Sequence, residues 1–218
     1  MIFADRNQAG MLLGERLLEI SLHEPILLAL PRGGVPVAIE AGKILGAPVD
    51  VLIVRKLGVP WHEELGMGAV TENGFTWIER RVVDYAGVLE DSLNRVIERE
   101  KIEVERRVKL YRGARALPNL KNRSVVLIDD GIAMGVTARA ACTFARSVGA
   151  SQVVLAVPVC SAQSALSLRE EVDELVCLHE PDLFQSVGEF YEDFRQLSDQ
   201  EVLSLLAQER KRRSDEAA

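Results

Sequence analysis

The residues best placed to do chemistry lie where Val125-Val126-Leu127-Ile128 runs into Asp129-Asp130 and then Gly131-Ile132-Ala133-Met134-Gly135-Val136-Thr137. An apolar strand, two adjacent acids, a small-residue loop and a helix put both carboxylates at the carboxyl end of a strand. That is where open α/β sheets bind ligands. The amides of Ala133, Met134, Gly135, Val136 and Thr137 open the helix, and a helix N-terminus favours phosphate. Gly131 and Gly135 let the backbone approach a ligand closely. Acids that accept from hydroxyls, beside amides that hold a phosphate, suit a ribose phosphate. No Gly-Lys-Ser/Thr follows a strand, so a Walker A loop is excluded.

A second candidate is Leu30-Pro31-Arg32-Gly33-Gly34-Val35, between another apolar run and another helix. Gly33 and Gly34 permit unusual backbone angles, and Arg32 is a permanent cation suited to phosphate. A plain strand-to-helix turn is the alternative reading of these residues. A third segment, Val54 to Gly68, begins with the cations Arg55 and Lys56 and is rich in glycine. Within it His62-Glu63 starts like a zinc-protease motif, but position 66 is Gly where the second His would stand. No metal-ligand cluster is expected in the chain.

Taken together, these segments resemble the type I phosphoribosyltransferases, whose signature is four apolar residues, two acids, small residues, Gly and a final Thr. The resemblance implies 5-phosphoribosyl 1-diphosphate (PRPP) as donor, with Mg²⁺ carried by PRPP. It implies that Asp129 and Asp130 hold the ribose 2′- and 3′-hydroxyls and that Ala133 to Thr137 wrap the 5′-phosphate. Arg32, Gly33 and Gly34 match the family's pyrophosphate loop, which often has a strained or cis peptide. Arg55 and Lys56 match a mobile lid that neutralises the departing pyrophosphate. Met134 departs from the usual Thr, at a cost of about 0.5–1.5 kcal/mol if a hydroxyl hydrogen bond is lost. Ala133 stands where hypoxanthine-guanine members place an Asp, so the loop looks more like that of adenine-type members. The chain as a whole is similar to a bacterial group of phosphoribosyltransferases without an assigned acceptor. The resemblance therefore implies transfer of phosphoribosyl to a small nitrogenous acceptor, with a homodimer as the assembly. A PRPP- or nucleotide-sensing protein without turnover is the alternative, and base-independent hydrolysis of a nucleotide is a third.

The elements needed to position these residues are legible as periodicities. Ile26–Leu30, Val49–Val54, Val125–Ile128, Val153–Val157 and Val172–Leu178 read as strands buried on both faces of a parallel sheet. Helical stretches at Val35–Leu45, Thr137–Val148 and Ser161–Glu171 alternate with them. The fold class expected is α/β, a doubly wound, mostly parallel five-stranded sheet flanked by helices. All 218 residues are read as one domain with an insertion at 69–113 and a C-terminal hood and helix at 179–218. In the insertion, Ala69–Thr71 and Phe75–Ile78 flank Glu72-Asn73-Gly74 as a hairpin. Leu89–Arg112 follows as one charged helix with an apolar stripe of Leu89, Leu93, Val96, Ile97, Val104, Val108 and Tyr111. The stripe packs on the body or on a partner subunit, and the helix is one candidate dimer surface. Ser198-Asp199-Gln200-Glu201 is a capping box that opens a helix to about Arg210, leaving Lys211–Ala218 as a frayed tail.

In the hood, Phe184, Phe190, Tyr191 and Phe194 are four of eleven aromatic residues, so an acceptor base could stack there. Net charge is −7, which opposes counterion-release binding short of a local basic patch, so nucleic acid is not the expected partner. No run reaches the roughly 20 apolar residues of a membrane span, and no basic-then-apolar start reads as a signal peptide. Cys142, Cys160 and Cys177 are widely spaced within apolar stretches, which fits buried packing and a cytoplasmic protein.

Overall fold

The structure, a computed structural model, describes residues 1–216. In chain order its elements are α1 (Arg6–Leu17), β1 (Ile26–Ala29), α2 (Gly34–Leu45), β2 (Val49–Val51), β3 (Val54–Val59), β4 (His62–Thr71) and β5 (Thr76–Ile78). Then follow α3 (Arg80–Ala86), α4 (Glu90–Arg112), β6 (Ser124–Ile128), α5 (Val136–Ser147), β7 (Gln152–Val159), α6 (Ala162–Arg169), β8 (Glu174–His179) and α7 (Asp199–Glu216).

Five strands form a parallel sheet in the order β2-β1-β6-β7-β8. Period-two alternation splits their side chains between two cores. Leu27, Ala29, Val126, Ile128, Val154 and Ala156 pack beneath α1, α2 and α7. Ile26, Leu28, Val125, Leu127, Val153 and Leu155 pack beneath α5 and α6. With both faces covered, the strands need the continuous Val/Ile/Leu runs seen in the sequence. This is the doubly wound α/β fold expected from the sequence, with a smaller antiparallel sheet β3-β4-β5 appended.

That smaller sheet corrects two expectations. Val49–Val54 is not one strand: β2 stops at Val51, and the chain crosses through buried Leu52 and Ile53 into β3 of the other sheet. Likewise the glycine-rich stretch after Val54 is a β3–β4 hairpin turning at Pro60-Trp61, not a loop. Its glycines serve close strand approach: a Cβ at Gly58 would lie 2.5 Å from Glu63 O, and one at Gly68 2.3 Å from Trp77 O. The register shift beside Gly58 marks a bulge. The expected 69–78 hairpin is present as β4–β5, with Asn73 and Gly74 at φ 64° and 76°.

At the crossing between the sheets a charged cluster is sealed in. Arg112, near the end of α4, meets Glu72 through both terminal nitrogens, donates to Val51 O at 2.5 Å, and has Nε 3.5 Å from Asp50 Oδ1. Glu72 Oε1 also accepts from Ile53 N at 3.1 Å. Other departures are local. Leu89 is 74% exposed and flanks α4 instead of joining its buried stripe. Ser198 and Glu201 form the expected capping box, but α7 runs on to Glu216, held by Arg212 between Glu209 and Glu216. The end of the expected frayed tail, residues 217–218, lies outside the described residues. Helices α1 and α3 add to the expected set; α1 is capped by Asp5, which accepts from Gln8 N at 2.8 Å. Cys142 and Cys160 are buried and Cys177 is half-buried.

Candidate active site

β6 delivers Asp129 and Asp130 to the carboxyl edge of the sheet, beside the ends of β1 and β7. The turn that follows is pinned from behind. Ile132 bridges to Cys160, and Ala133 O accepts from Ser161 Oγ at 2.8 Å and Ser164 Oγ at 2.7 Å. Gly135, at φ 75°, then reverses the chain into α5. Among the described residues, no amide from Ala133 to Thr137 donates to a side chain or to loop backbone. Those amides form the free rim of a helix N-terminus. Met134 is 59% exposed, so its side chain points to solvent and leaves that rim open.

The Arg32-Gly33-Gly34 turn lies directly against this loop. A Cβ on Gly33 would fall 1.9 Å from Asp130 Oδ2, and one on Gly34 would fall 2.4 Å from Ile128 O. The two glycines are therefore set by contact with the acid loop. The Pro31–Arg32 peptide is cis. The Arg32 side chain reaches towards α7, with Nη1 3.7 Å from Asp199 Oδ1. Asp199 also accepts from the Tyr111 hydroxyl, whose pKa is pushed up to about 12 by burial and by that carboxylate.

Alternation along β3 separates Arg55 from Lys56. Lys56 faces a cavity of 270 Å³ that it shares with Glu64, Asp129, Met134, Thr137 and Val187. Its Nζ donates to Glu64 O at 3.2 Å. Arg55 points the other way, to α4, where its Nε donates to Glu100 Oε2 at 2.9 Å. Of the sequence-derived residues, the structure brings together Asp129, Asp130, Ala133 to Thr137, Gly33, Gly34 and Lys56. It leaves the Arg32 side chain at the margin and Arg55 outside.

Two further residues hold the acids. Arg6, at the start of α1, donates from Nε to Asp130 Oδ2 at 2.8 Å and from Nη1 to Arg195 O at 3.0 Å. Its guanidinium lies 4.0 Å from the centre of the Phe194 ring. Tyr191 donates from its hydroxyl to Asp130 O at 2.6 Å. Removal from water pushes the Asp129 carboxyl well above the ordinary carboxylate range, and the adjacent Asp130 charge adds to the effect. Burial raises Asp130 as well, and Arg6 opposes the rise. Neither Arg6 nor Tyr191 belongs to a local motif; each reaches Asp130 across a sequence separation that no spacing rule encodes.

Residues 6–195 match the phosphoribosyl transferase domain family. The chain belongs to the type I phosphoribosyltransferase family. A Mycobacterium tuberculosis relative named "Putative phosphoribosyl transferase" is 44% identical over 205 residues, covering 94% of this chain and 46% of the relative. The chain thus spans about half the length of the curated relatives it matches. The crystal structure of the TT1426 protein from Thermus thermophilus superposes with a TM-score of 0.84 at 38% identity, covering 95% of this chain and 99% of that one.

The hood is built where the first residues of the chain meet the segment between β8 and α7. Phe3 pairs with Tyr191 as a parallel bridge and donates from its amide to Phe190 O at 2.8 Å. The four candidate aromatics spend their ring faces largely on one another. Phe184 stacks on Phe190 with centroids 5.5 Å apart, and Tyr191 stacks on Phe194 at 5.0 Å. Phe190 and Tyr191 are buried, and Arg6 covers Phe194. Val187 is the hood residue that reaches the cavity over Gly131, where a Cβ would come within 2.5 Å of it. No described helix is long and apolar enough to cross a membrane.

Proposed function

We propose that the chain transfers the 5-phosphoribosyl group of PRPP to a nitrogenous acceptor, a nucleobase by class, and releases pyrophosphate. One observation carries this reading: the Asp129-Asp130 edge meets the open amide rim of Ala133 to Thr137 on one side and the Arg32-Gly33-Gly34 turn on the other. Asp129 and Asp130 accept from the ribose hydroxyls. The rim amides and the Thr137 hydroxyl hold the 5′-phosphate. The Gly33–Gly34 backbone, Arg32 and Lys56 face the pyrophosphate, while Arg55 stays with Glu100 and takes no part. Positive charge develops on the ribose as the bond to pyrophosphate breaks. The site therefore acts by fixing the sugar and stabilising the leaving group, with no nucleophilic side chain required.

The carboxylates of Asp129 and Asp130 are oxygen donors of the kind a hard divalent cation takes, so they fit Mg²⁺ arriving on PRPP oxygens. Among the described residues no group of three or more His, Cys, Asp or Glu converges on one metal position. The cation would supply charge neutralisation at the pyrophosphate. A homodimer and a cytoplasmic setting complete the reading; a single-subunit mass by light scattering would remove the first.

The test is incubation with PRPP, Mg²⁺ and a panel of purine and pyrimidine bases, following pyrophosphate. Release is expected only with an accepted base. Asp130→Asn is expected to lower kcat/KM by about a hundredfold or more, the scale of losing a charged group that acts in the transition state. Unchanged activity in that variant, or no PRPP binding to the native chain, would sink the proposal. PRPP binding without pyrophosphate from any base would identify a sensor on the same fold.

A further inference from the structure

The amino ends of the strands, opposite the acid loop, carry a second concentration of charge. A cavity of 380 Å³ opens there beside Ile26 and Val49, the first residues of β1 and β2. Four arginines line it: Arg115, Arg123, Arg210 and Arg213. The acids at its wall are Asp50 and Glu209. Both acids are already matched. Glu209 is gripped by Arg212 through two hydrogen bonds of 2.9 and 2.7 Å. Asp50 lies between Arg112 Nε at 3.5 Å and Arg115 Nη1 at 3.9 Å.

The other three guanidiniums form no salt bridge among the described residues, and Arg210 feels Asp50 only at longer range. Arg123 is aimed by neutral carbonyls, donating to Glu24 O at 2.8 Å and Pro25 O at 3.2 Å. Arg213 donates to Gly46 O at 2.7 Å. The Arg210 side chain has no hydrogen-bonded or ionic partner among the described residues. Burial and the nearby Arg115 charge lower its pKa more than Asp50 raises it, a penalty that an anion in the cavity would relieve. On a chain of net charge −7, three arginines without a salt bridge facing one cavity are an anion-binding arrangement, not a surface average.

We propose that this cavity binds a free, phosphate-bearing small molecule at a site separate from the Asp129-Asp130 edge. The guanidinium fork matches phosphate oxygens in pairs. Pro48 and Pro118 supply an apolar wall for an organic body, and the volume falls within the range of small-molecule pockets. The site stands apart from the transferase reading and survives its failure.

Amide chemical shifts of the full chain distinguish the two phosphate-binding regions directly. Titration with inorganic phosphate, and separately with 5′-AMP, should move the amides of residues 46–50, 115–123 and 209–214. Those shifts should saturate independently of any at 133–137. In Arg210→Gln with Arg213→Gln, the affinity read from that group should fall about tenfold to a hundredfold, the range for losing charged hydrogen bonds. Arg210→Gln alone removes a side chain without partners among the described residues, so it keeps the fold and should show part of the loss. The proposal is overturned if these amides do not respond, or if they respond equally in the variants. Vesicles containing phosphatidic acid should not sediment the protein; sedimentation that depends on Arg210 would overturn the small-molecule form.

Discussion

Arg112 holds Glu72 and Asp50 where β2 crosses into β3, and Arg6 holds Asp130 beside Asp129 at the end of β6. Each cluster sets two carboxylates near one arginine, yet the two are built differently. Arg112 and Glu72 have side chains 1% and 3% exposed, and they meet through two nitrogens with a backbone carbonyl completing the set. Burial alone would lower the Arg112 pKa, but the Glu72 and Asp50 charges outweigh it and raise it. Arg6 and Asp130 are 10% and 14% exposed and meet through a single contact. Asp129 has no arginine of its own and is pushed towards its neutral form. A strut spends its charges on each other. A site leaves charge and hydrogen-bonding capacity unspent, and the unspent part faces the open amide rim.

The strongest way to break this comparison is at the strut. Arg112→Met leaves Glu72 buried without its cation, so stability should fall by about 3–5 kcal/mol. Denaturant titration reads the loss. Adding Glu72→Met should recover a measurable part of it, because an apolar pair of similar volume avoids the unpaired charge. If the single variant is as stable as the native chain, the cluster is not a strut and the contrast fails.

The comparison also explains what could be read from the chain alone. Asp129, Asp130, Gly135 and Thr137 were legible because strand, acids, loop and helix are consecutive, so their placement is local. Gly33 and Gly34 were legible for the same reason. Arg6 was not, because 124 residues separate it from Asp130 and an isolated arginine near a helix start carries no pattern. Tyr191 stood out only as one aromatic among several, with nothing to say that its hydroxyl rather than its ring would matter. The glycines at 58 and 68 do not by themselves announce a hairpin, because glycine serves loops and close strand contacts alike, and only the partner strand decides which. Arg55 and Lys56 looked equivalent as neighbours until strand alternation sent them to opposite faces.

Arg6→Met tests the looser cluster. It should weaken PRPP binding about tenfold, the scale of one charged hydrogen bond. A merely structural role predicts a loss that is flat with pH. The electrostatic role predicts more, because Arg6 lowers the Asp130 pKa. Without it the carboxyl titrates at higher pH, so the acid limb of the binding profile should move upwards. Arg6→Lys should restore much of that limb. An acid limb unmoved in Arg6→Met would reduce Arg6 to a packing residue of the hood.

The smallest expected effect separates the clusters by sign. Asp129 has a folded pKa above its unfolded value, so the native chain binds more protons than the unfolded chain between the two. Stability contributed by the neutral form is present at low pH and is lost as pH rises through that window. Asp129→Asn removes the charge while keeping an oxygen that can accept from the Asp130 amide, as Oδ1 now does at 2.9 Å. At neutral pH the variant should therefore melt a few degrees higher, roughly 2–4 °C for about 1 kcal/mol in a chain of this size. The gain should shrink as pH falls towards about 4, where the unfolded aspartate also protonates. PRPP binding should weaken in the same variant, so stability and binding move in opposite directions at one residue. A variant that loses both would place Asp129 with Glu72 and Asp50, as a carboxylate the fold itself requires.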